Sequence, residues 1–244
     1  MILLLGSHSD DLLYCSSLLS NKKEETFLGG LSLYSGRIFS QEVLMLDGVY
    51  TNSLASAVTA ALLGKYHISL VFVLGRCYST SPTLPAGTIV ISKGVLGLDC
   101  DMVESANTKL STVPGFPSFF KTQLDLIGYL RAGFSRRTRT GGEPTDFYST
   151  DSLSSLSVEK AIVNKGALGS EDPYVIDSNS FGVALSCYLY DTPFVCVKAV
   201  ERDLSQKKTI EDYVSLLDRY VDIGKAVVYT IGDIGRNDVL RMRK

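Results

Sequence analysis

The stretch VFVLGRCYSTSPTLPAGTIV, residues Val71–Val90, decides the fold class of this chain. It begins with four apolar residues of buried-strand type, Val71–Leu74, and then reaches Gly75. A turn of small polar residues is predicted directly after this glycine, followed by a second β-rich run at Thr88–Ser92. A buried strand that runs into a glycine turn is typical of α/β folds, which place ligand-binding backbone amides there. The alternative is a glycine that only satisfies a turn.

Strand and helix patterns alternate on both sides of this stretch. Further strands are predicted at Ile2–Leu5, Glu42–Leu46, Leu70–Leu74 and Phe194–Val200, and a hairpin-like turn at Tyr34–Gly36. Helices are predicted at Ser53–Lys65, Thr122–Ala132, Ser154–Val163 and Ser180–Tyr190, with a long amphipathic helix from a capping box at Thr209 toward Tyr229. The pattern predicts one α/β domain over residues 1–244, with a mixed central sheet flanked by helices.

Composition narrows the function classes. With 244 residues and 45% apolar content the chain can bury one large core, and the formal charge of −2 argues against a dedicated nucleic-acid surface. The basic cluster SRRTR, Ser135–Arg139, is interpreted as a solvated loop rather than a phosphate clamp. The apolar start Met1–Leu5 is too short for a signal peptide, and no later run reaches the ~18 apolar residues of a membrane span.

The five cysteines are scattered along the chain, and this spacing predicts reduced thiols in the cytoplasm. No pair has Cys-x-x-Cys spacing, and no histidine lies close enough in sequence to complete a metal site. Glycine-rich phosphate loops, metal boxes and serine-hydrolase elbows are also missing from the sequence. We therefore expect no metal and no cofactor, with phosphate as a co-substrate only if the reaction is a phosphorolysis.

Several phrases recur in the order of a known family. FLGGLSLYSGRIFSQEV (Phe27–Val43), the glycine turn with its PTLPAGTIV continuation, PGFP (Pro114–Pro117), DFYSTD (Asp146–Asp151) and DTPFVCVKAV (Asp191–Val200) carry the likeness. Together they resemble the methylthioadenosine/S-adenosylhomocysteine nucleosidases of the nucleoside phosphorylase superfamily, although DFYSTD is more similar to the phosphorylase branch. The resemblance implies cleavage of a purine N-glycosidic bond, in which one carboxyl protonates purine N7 and another carboxylate orients water.

The resemblance assigns these two carboxyls to Asp11 and Asp203. Asp11 stands where the family has glutamate, one methylene longer, and the alternative is that it caps or solvates the first helix. At the end of the last predicted strand, ungapped alignment places Arg202 on the family's catalytic aspartate, whereas a one-residue insertion places Asp203 there. Glu201 is a second candidate for the acid. An arginine cannot supply the proton near neutral pH.

The remaining substrate-binding candidates depart further from the family. Asp177, Ser178 and Asn179 stand where the nucleosidases read Glu-Met-Glu, so the ribose clamp is expected to be an amide without charge assistance. In the glycine turn, Arg76 and Tyr78 replace small residues, and Arg76 is open to pairing with an anion. The resemblance further implies that the substrate-binding set includes His8, Cys77, Phe147, Tyr148, Glu201 and Arg202, with Phe147 stacking on the purine.

Three functions are consistent with these residues. The first is hydrolysis of a purine nucleoside of the methylthioadenosine/S-adenosylhomocysteine type. The second is shifted chemistry, either phosphorolysis or futalosine-type hydrolysis. The third is a catalytically silent homologue that keeps the fold for binding or assembly. The resemblance also implies a homodimer, in which Ile210 and Tyr213 contact the active site of the neighbouring subunit.

Overall fold

The computed structural model describes residues 1–79, 81–99, 115–151, 173–203 and 210–237, without the side chains of 202–203, 210–215 and 236–237. The predicted helix Ser154–Val163, the capping box at Thr209 and the first residue of the PGFP turn lie outside the described residues.

The described residues form one α/β domain around a mixed sheet. Its strands are β1 (Ile2–Gly6), β2 (Ser20–Phe27), β3 (Leu31–Ile38), β4 (Gln41–Leu46), β5 (Leu70–Ser79), β6 (Ile89–Gly97), β7 (Phe120–Lys121), β8 (Gly142–Ser149), β9 (Tyr174–Asp177) and β10 (Phe194–Asp203). β1 is apolar and buried along its whole length. Such continuous burial arises because helices cover both faces of the sheet.

One half of the sheet closes on itself. β5 pairs with β1, β9 and β10, and β10 also pairs with β6, so that β5, β9, β8, β6 and β10 form a ring. The other half is open and runs from β1 through β4 and β3 to β2. β1, β5 and β10 run parallel to one another, so their carboxyl ends meet at one edge. Ligands collect at such an edge in α/β proteins.

Five helices of the described residues cover the sheet. They are α1 (Ser9–Ser17), α2 (Asn52–Lys65), α3 (Leu124–Arg137), α4 (Ser180–Leu189) and α5 (Ile210–Asn237). Buried side chains of α1, α3 and α5 share one apolar core, and those of α2 and α4 share another on the opposite face. Gly182 lets α4 approach α2 closely, because a Cβ there would lie 2.0 Å from the Asn52 carbonyl oxygen.

Most predicted elements are confirmed, but three local expectations are wrong. β5 does not end at Gly75 and continues to Ser79, since Gly75 keeps its place in the ladder with a φ of 139°. β3 runs straight through Tyr34–Gly36, and the hairpin turn falls later, at Phe39 and Ser40. Ser135–Arg137 is the last turn of α3 rather than a loop, where cationic side chains favour the helix dipole.

Four strands were not predicted from the sequence: β2, β7, β8 and the four-residue β9. β2 is a run of charged and polar residues at the open edge of the sheet, and its exposure explains why it carries no apolar signal. β8 contains glycine and proline, which marked it as irregular. The two-residue β7 is too short to produce a pattern.

Candidate functional site

Asp11 is a buried carboxylate at the start of α1. The loop that leaves β1 turns back on it, so that its Oδ2 accepts hydrogen bonds from the backbone N–H groups of Ser7 (2.9 Å) and His8 (2.8 Å). These bonds cap the helix, as the alternative interpretation of Asp11 required. Its Oδ1 is also buried and has no hydrogen-bond partner among the described residues. Burial raises the pKa of Asp11 above its ordinary value, against the opposing effects of the His8 backbone bond and of Arg76.

The strand β5 passes directly beside this carboxylate at Gly75. A Cβ at Gly75 would lie 2.8 Å from Asp11 Oδ2, so the contact requires glycine for space as well as for its φ of 139°. The sequence analysis singled out Gly75 as a turn residue. In the structure its function is the close approach of a carboxylate to a strand.

Arg76 lies among acidic and aromatic groups on the α5 side of the sheet. Its Nη1 is 3.8 Å from Glu201 Oε2, and its guanidinium carbon is 5.8 Å from the centre of the Tyr220 ring. Partial burial lowers the pKa of Arg76, but Tyr220, Asp11 and Glu201 together outweigh that effect and raise it above its ordinary value. Burial raises the pKa of Tyr220 well above its ordinary value, while Arg76 opposes that rise.

A second polar network lies on the α4 side of β5 and β10. Lys198 is 1% exposed, and its Nζ lies 2.5 Å from Asp177 Oδ2 and donates to Asn179 Oδ1 at 2.6 Å. The Ser180 hydroxyl also donates to Asp177. Lys198 and Asp177 therefore form a buried ion pair with several hydrogen-bond partners, an arrangement that compensates both charges.

Asn179 links this network to the loop after β1. Its Nδ2 donates to Ser7 Oγ at 3.0 Å and to the Val49 carbonyl oxygen at 2.7 Å. Asn179 is fully buried, and in this conformation both its amide nitrogen and its carbonyl oxygen form hydrogen bonds within the protein. A ribose hydroxyl would have to compete with Lys198 for the Asn179 carbonyl oxygen.

The end of β10 contains one extra residue relative to β5. Val200 pairs with Cys77, and the next pair along the ladder is Arg202 with Tyr78, so the register shifts at Glu201. Such a shift is a β-bulge, in which one inserted residue redirects the strand. The side chains of the two residues after the bulge, Arg202 and Asp203, lie outside the described residues.

Three predicted substrate-binding side chains are packed inside the protein. Cys77 is fully buried and donates from Sγ to the Ala199 carbonyl oxygen at 3.6 Å, so its side chain packs against β10. Phe147 is 0% exposed and presents no free ring face in this conformation. Tyr148 packs on Tyr174 with ring centres 4.3 Å apart, and burial raises its pKa to about 12.

Three other candidates lie closer to the surface of the site. His8 is the residue that precedes α1, and its ring meets Tyr50 edge-on at 5.1 Å. Ser178 donates from Oγ to the Tyr50 carbonyl oxygen at 2.7 Å. Tyr78 is half-buried in β5 between Arg202 of β10 and Ile176 of β9. Ile210 and Tyr213 begin α5, and their side chains lie outside the described residues.

The sequence analysis missed two residues of the site. Lys198 carries a visible signal, because a lysine in the middle of an otherwise apolar buried strand needs a buried partner. Tyr220 carries none, since an aromatic residue on the apolar face of a helix is normally core. Only the fold shows that its hydroxyl is buried without a hydrogen-bond partner among the described residues.

The charges of the site have a chemical consequence. Among the side chains that the structure describes, Asp11, Asp177 and Glu201 bring three carboxyls to the ends of β1, β9 and β10, against the two cations Arg76 and Lys198. An excess of negative charge stabilises a developing cation and disfavours an anionic ligand. Among the described residues, no three metal-ligating side chains cluster and no helix is long and apolar enough to cross a membrane.

The whole described fold is that of nucleoside phosphorylase-like proteins, as the sequence resemblance predicted. The nucleosidase from Neisseria meningitidis that acts on 5'-methylthioadenosine and S-adenosylhomocysteine, solved in complex with methylthio-immucillin-A, is similar with a TM-score of 0.82 and 20% identity. The match covers 95% of this chain and 98% of that one. Futalosine hydrolase of Helicobacter pylori is similar with a TM-score of 0.81 and 13% identity, over 95% and 97% of the two chains.

Curated relatives point to one branch of this fold. The 5'-methylthioadenosine/S-adenosylhomocysteine nucleosidase of Marinomonas sp. (strain MWYL1) is 23% identical to this chain over 214 residues, which is 88% of this chain and 90% of the relative. No protein-family model matches the chain. The relatives therefore confirm the resemblance that the sequence motifs indicated.

Proposed function

We propose that this protein hydrolyses the N-glycosidic bond of a purine nucleoside of the methylthioadenosine/S-adenosylhomocysteine type and releases the free base. The relatives and the fold support this function. The observation that carries it is Asp11, a buried carboxylate held by two backbone N–H groups, with a second oxygen that has no partner among the described residues. A general base that orients water needs such a fixed acceptor with an oxygen left to bind the water.

Water rather than phosphate is the proposed nucleophile. Glu201 and Asp11 already surround Arg76, so the guanidinium is not available as an uncompensated cation for a phosphate ion. Adenine release from methylthioadenosine should therefore proceed in phosphate-free buffer, and added phosphate should not accelerate it. Release that requires phosphate, with ribose 1-phosphate-type product, would establish the phosphorolysis alternative, and no release with either nucleophile would favour a catalytically silent homologue.

The proposed acid toward purine N7 is Asp203. Asp203 is the last residue of β10 and carries a carboxyl, whereas Arg202 cannot supply a proton near neutral pH. Asp203→Asn should lower kcat by about 10²–10⁴, as the loss of a general acid usually does. Glu201→Gln provides the comparison, and a larger loss in that variant would transfer the role to Glu201.

Futalosine-type hydrolysis is the second candidate, supported by the Helicobacter pylori neighbour with nearly the same coverage. Futalosine carries hypoxanthine in place of adenine and a carboxylate on its far end. The negative excess of the site disfavours that carboxylate. Comparing kcat/KM for methylthioadenosine and futalosine separates the two substrates directly.

We further propose a cytoplasmic homodimer that acts in methionine salvage without a metal or cofactor. Exposed apolar side chains at the end of α4, Tyr188, Leu189 and Tyr190, support burial against a second copy. In this proposal Ile210 and Tyr213 at the start of α5 contact the neighbouring site. Sedimentation equilibrium at micromolar concentration should give twice the chain mass, and a monomer would contradict the proposal.

A further inference from the structure

Arg76 occupies a position with a specific set of neighbours. Its strand, β5, lies between β1 and β10, so the residue faces the ends of both. The side chain is 16% exposed and is directed to the α5 side, where Tyr220 lies. An arginine that is mostly buried retains its charge and needs fixed acceptors.

Two groups fix the guanidinium of Arg76. Glu201, the extra residue of the β10 bulge, lies 3.8 Å from Nη1, and the Tyr220 ring lies 5.8 Å from the guanidinium carbon. The Glu201 side chain is 2% exposed, so solvent screens this pair weakly. Arg76 Nε is buried and has no hydrogen-bond partner among the described residues.

Three buried polar atoms without partners in the described chain belong to neighbouring groups. They are Asp11 Oδ1, Arg76 Nε and the Tyr220 hydroxyl. Asp11 touches β5 at Gly75, the residue before Arg76, and Arg76 in turn lies over Tyr220. Because unpartnered buried polar atoms are costly, three of them in adjacent side chains indicate a site for a small polar molecule.

The charged surroundings of Asp11 come from four elements. His8 precedes its own helix, Arg76 comes from β5, Lys198 and Glu201 come from β10, and Tyr220 comes from α5. Lys198 is already committed to Asp177 and Asn179. Arg76 is therefore the cation whose removal changes the surroundings of Asp11 without breaking the second network.

We propose that Arg76, held by Glu201 and Tyr220, is a positioning residue that keeps Asp11 ionised and directs a water molecule toward Asp11 Oδ1. This inference rests on the proposed function. It assigns the arginine of the glycine segment to the preparation of the general base and not to an anionic substrate. Tyr220, on the apolar face of α5, closes the site over the guanidinium.

The test is the pH dependence of kcat/KM for adenine release. Arg76→Gln removes the charge and leaves a shorter polar side chain, so Asp11 should bind its proton more tightly and the acid limb should move up by about one pH unit or more. Arg76→Lys should move the acid limb back toward its wild-type pH because this variant restores the positive charge. Arg37→Gln is the matched control, since Arg37 forms an exposed pair with Glu42 far from the site, and it should leave the profile unchanged.

A direct titration distinguishes this inference from the proposed function. The carboxyl carbon of Asp11 is followed by NMR in protein labelled at aspartate, with Asp11→Asn to assign the signal. A midpoint that rises in Arg76→Gln supports the inference even if no nucleoside is cleaved, in which case only the proposed function fails. A midpoint equal to wild type overturns the inference even in an active enzyme. Should Arg76→Gln not fold, Arg76→Ser provides the same comparison with a side chain that leaves space for water.

Discussion

Two polar networks flank β5, and they differ in how completely their members are paired. On the α4 side, Lys198, Asp177 and Asn179 satisfy one another and their neighbours. On the α5 side, Asp11, Arg76 and Tyr220 each keep a buried polar atom without a partner in the described chain. A fully paired network stabilises and orders a fold, whereas unpaired buried atoms persist where a ligand completes them. The comparison indicates that the first network stabilises the fold and that the second takes part in the reaction.

The paired network should give the largest loss of stability when it is broken. Lys198→Met leaves Asp177 as a buried carboxylate without its cation, and we expect a loss of about 3–5 kcal/mol in the free energy of unfolding. Urea denaturation followed by circular dichroism measures this loss.

The control for this variant is Lys65→Met. The Lys65–Glu25 pair is longer, 3.4 Å, and both side chains are 53% exposed, so solvent screens this pair and its loss should change stability little. Adding Asp177→Asn to Lys198→Met should recover part of the loss, because the unpaired charge is removed. Equal effects of Lys198→Met and Lys65→Met would refute the structural role of the α4-side network.

The second-largest effect is expected for Gly75→Ala, which should disturb the unpaired network at Asp11. A φ of 139° is outside the range that alanine adopts readily, and the new methyl group would press on Asp11 Oδ2 at 2.8 Å. We expect a loss of about 1–3 kcal/mol in stability together with a fall in kcat. Gly128→Ala is the control, since this exposed α3 glycine has open space around its Cβ position and alanine should stabilise the helix by about 0.5–1 kcal/mol.

A smaller effect is expected in the pH profile of activity, which should show the rise in the pKa of Asp11 that burial causes. Burial raises the pKa of Asp11 above 3.8, and the base acts only when ionised, so activity should fall as the pH decreases through this raised pKa. In the pH profile of kcat/KM for methylthioadenosine, the midpoint of the acid limb should therefore lie above the ordinary pKa range of aspartate. A limb at the ordinary value would show that water reaches the Asp11 carboxylate freely.

The sequence predicted which chain segments meet at the site better than it predicted the side-chain contacts between them. The family resemblance assigned residues of the β1 loop, β5, β9 and β10 to one site, and β1, β5 and β10 bring their carboxyl ends to one edge because they run parallel. The engagement of Asn179 by Lys198, and the position of Tyr220 over Arg76, depend on distances between elements. No periodicity or spacing along the chain contains that information.

The local errors have a similar cause. Gly75 is typical of a strand end in sequence, yet its pairing with Lys198 of β10 holds it in the ladder. β2 was missed because an exposed edge strand buries little and therefore lacks the apolar pattern. In both places the tertiary context overrides the local preference.

Asp11→Asn tests the central claim most directly, because it changes one atom of the unpaired network and keeps the shape of the side chain. The account predicts that kcat for adenine release from methylthioadenosine falls by about 10²–10⁴, with the free energy of unfolding changed by only about 1 kcal/mol. Asp10→Asn, one residue earlier in the first turn of α1, should retain activity. Near wild-type activity of Asp11→Asn, in a folded protein, would contradict the account and leave Asp11 with the capping of α1 alone.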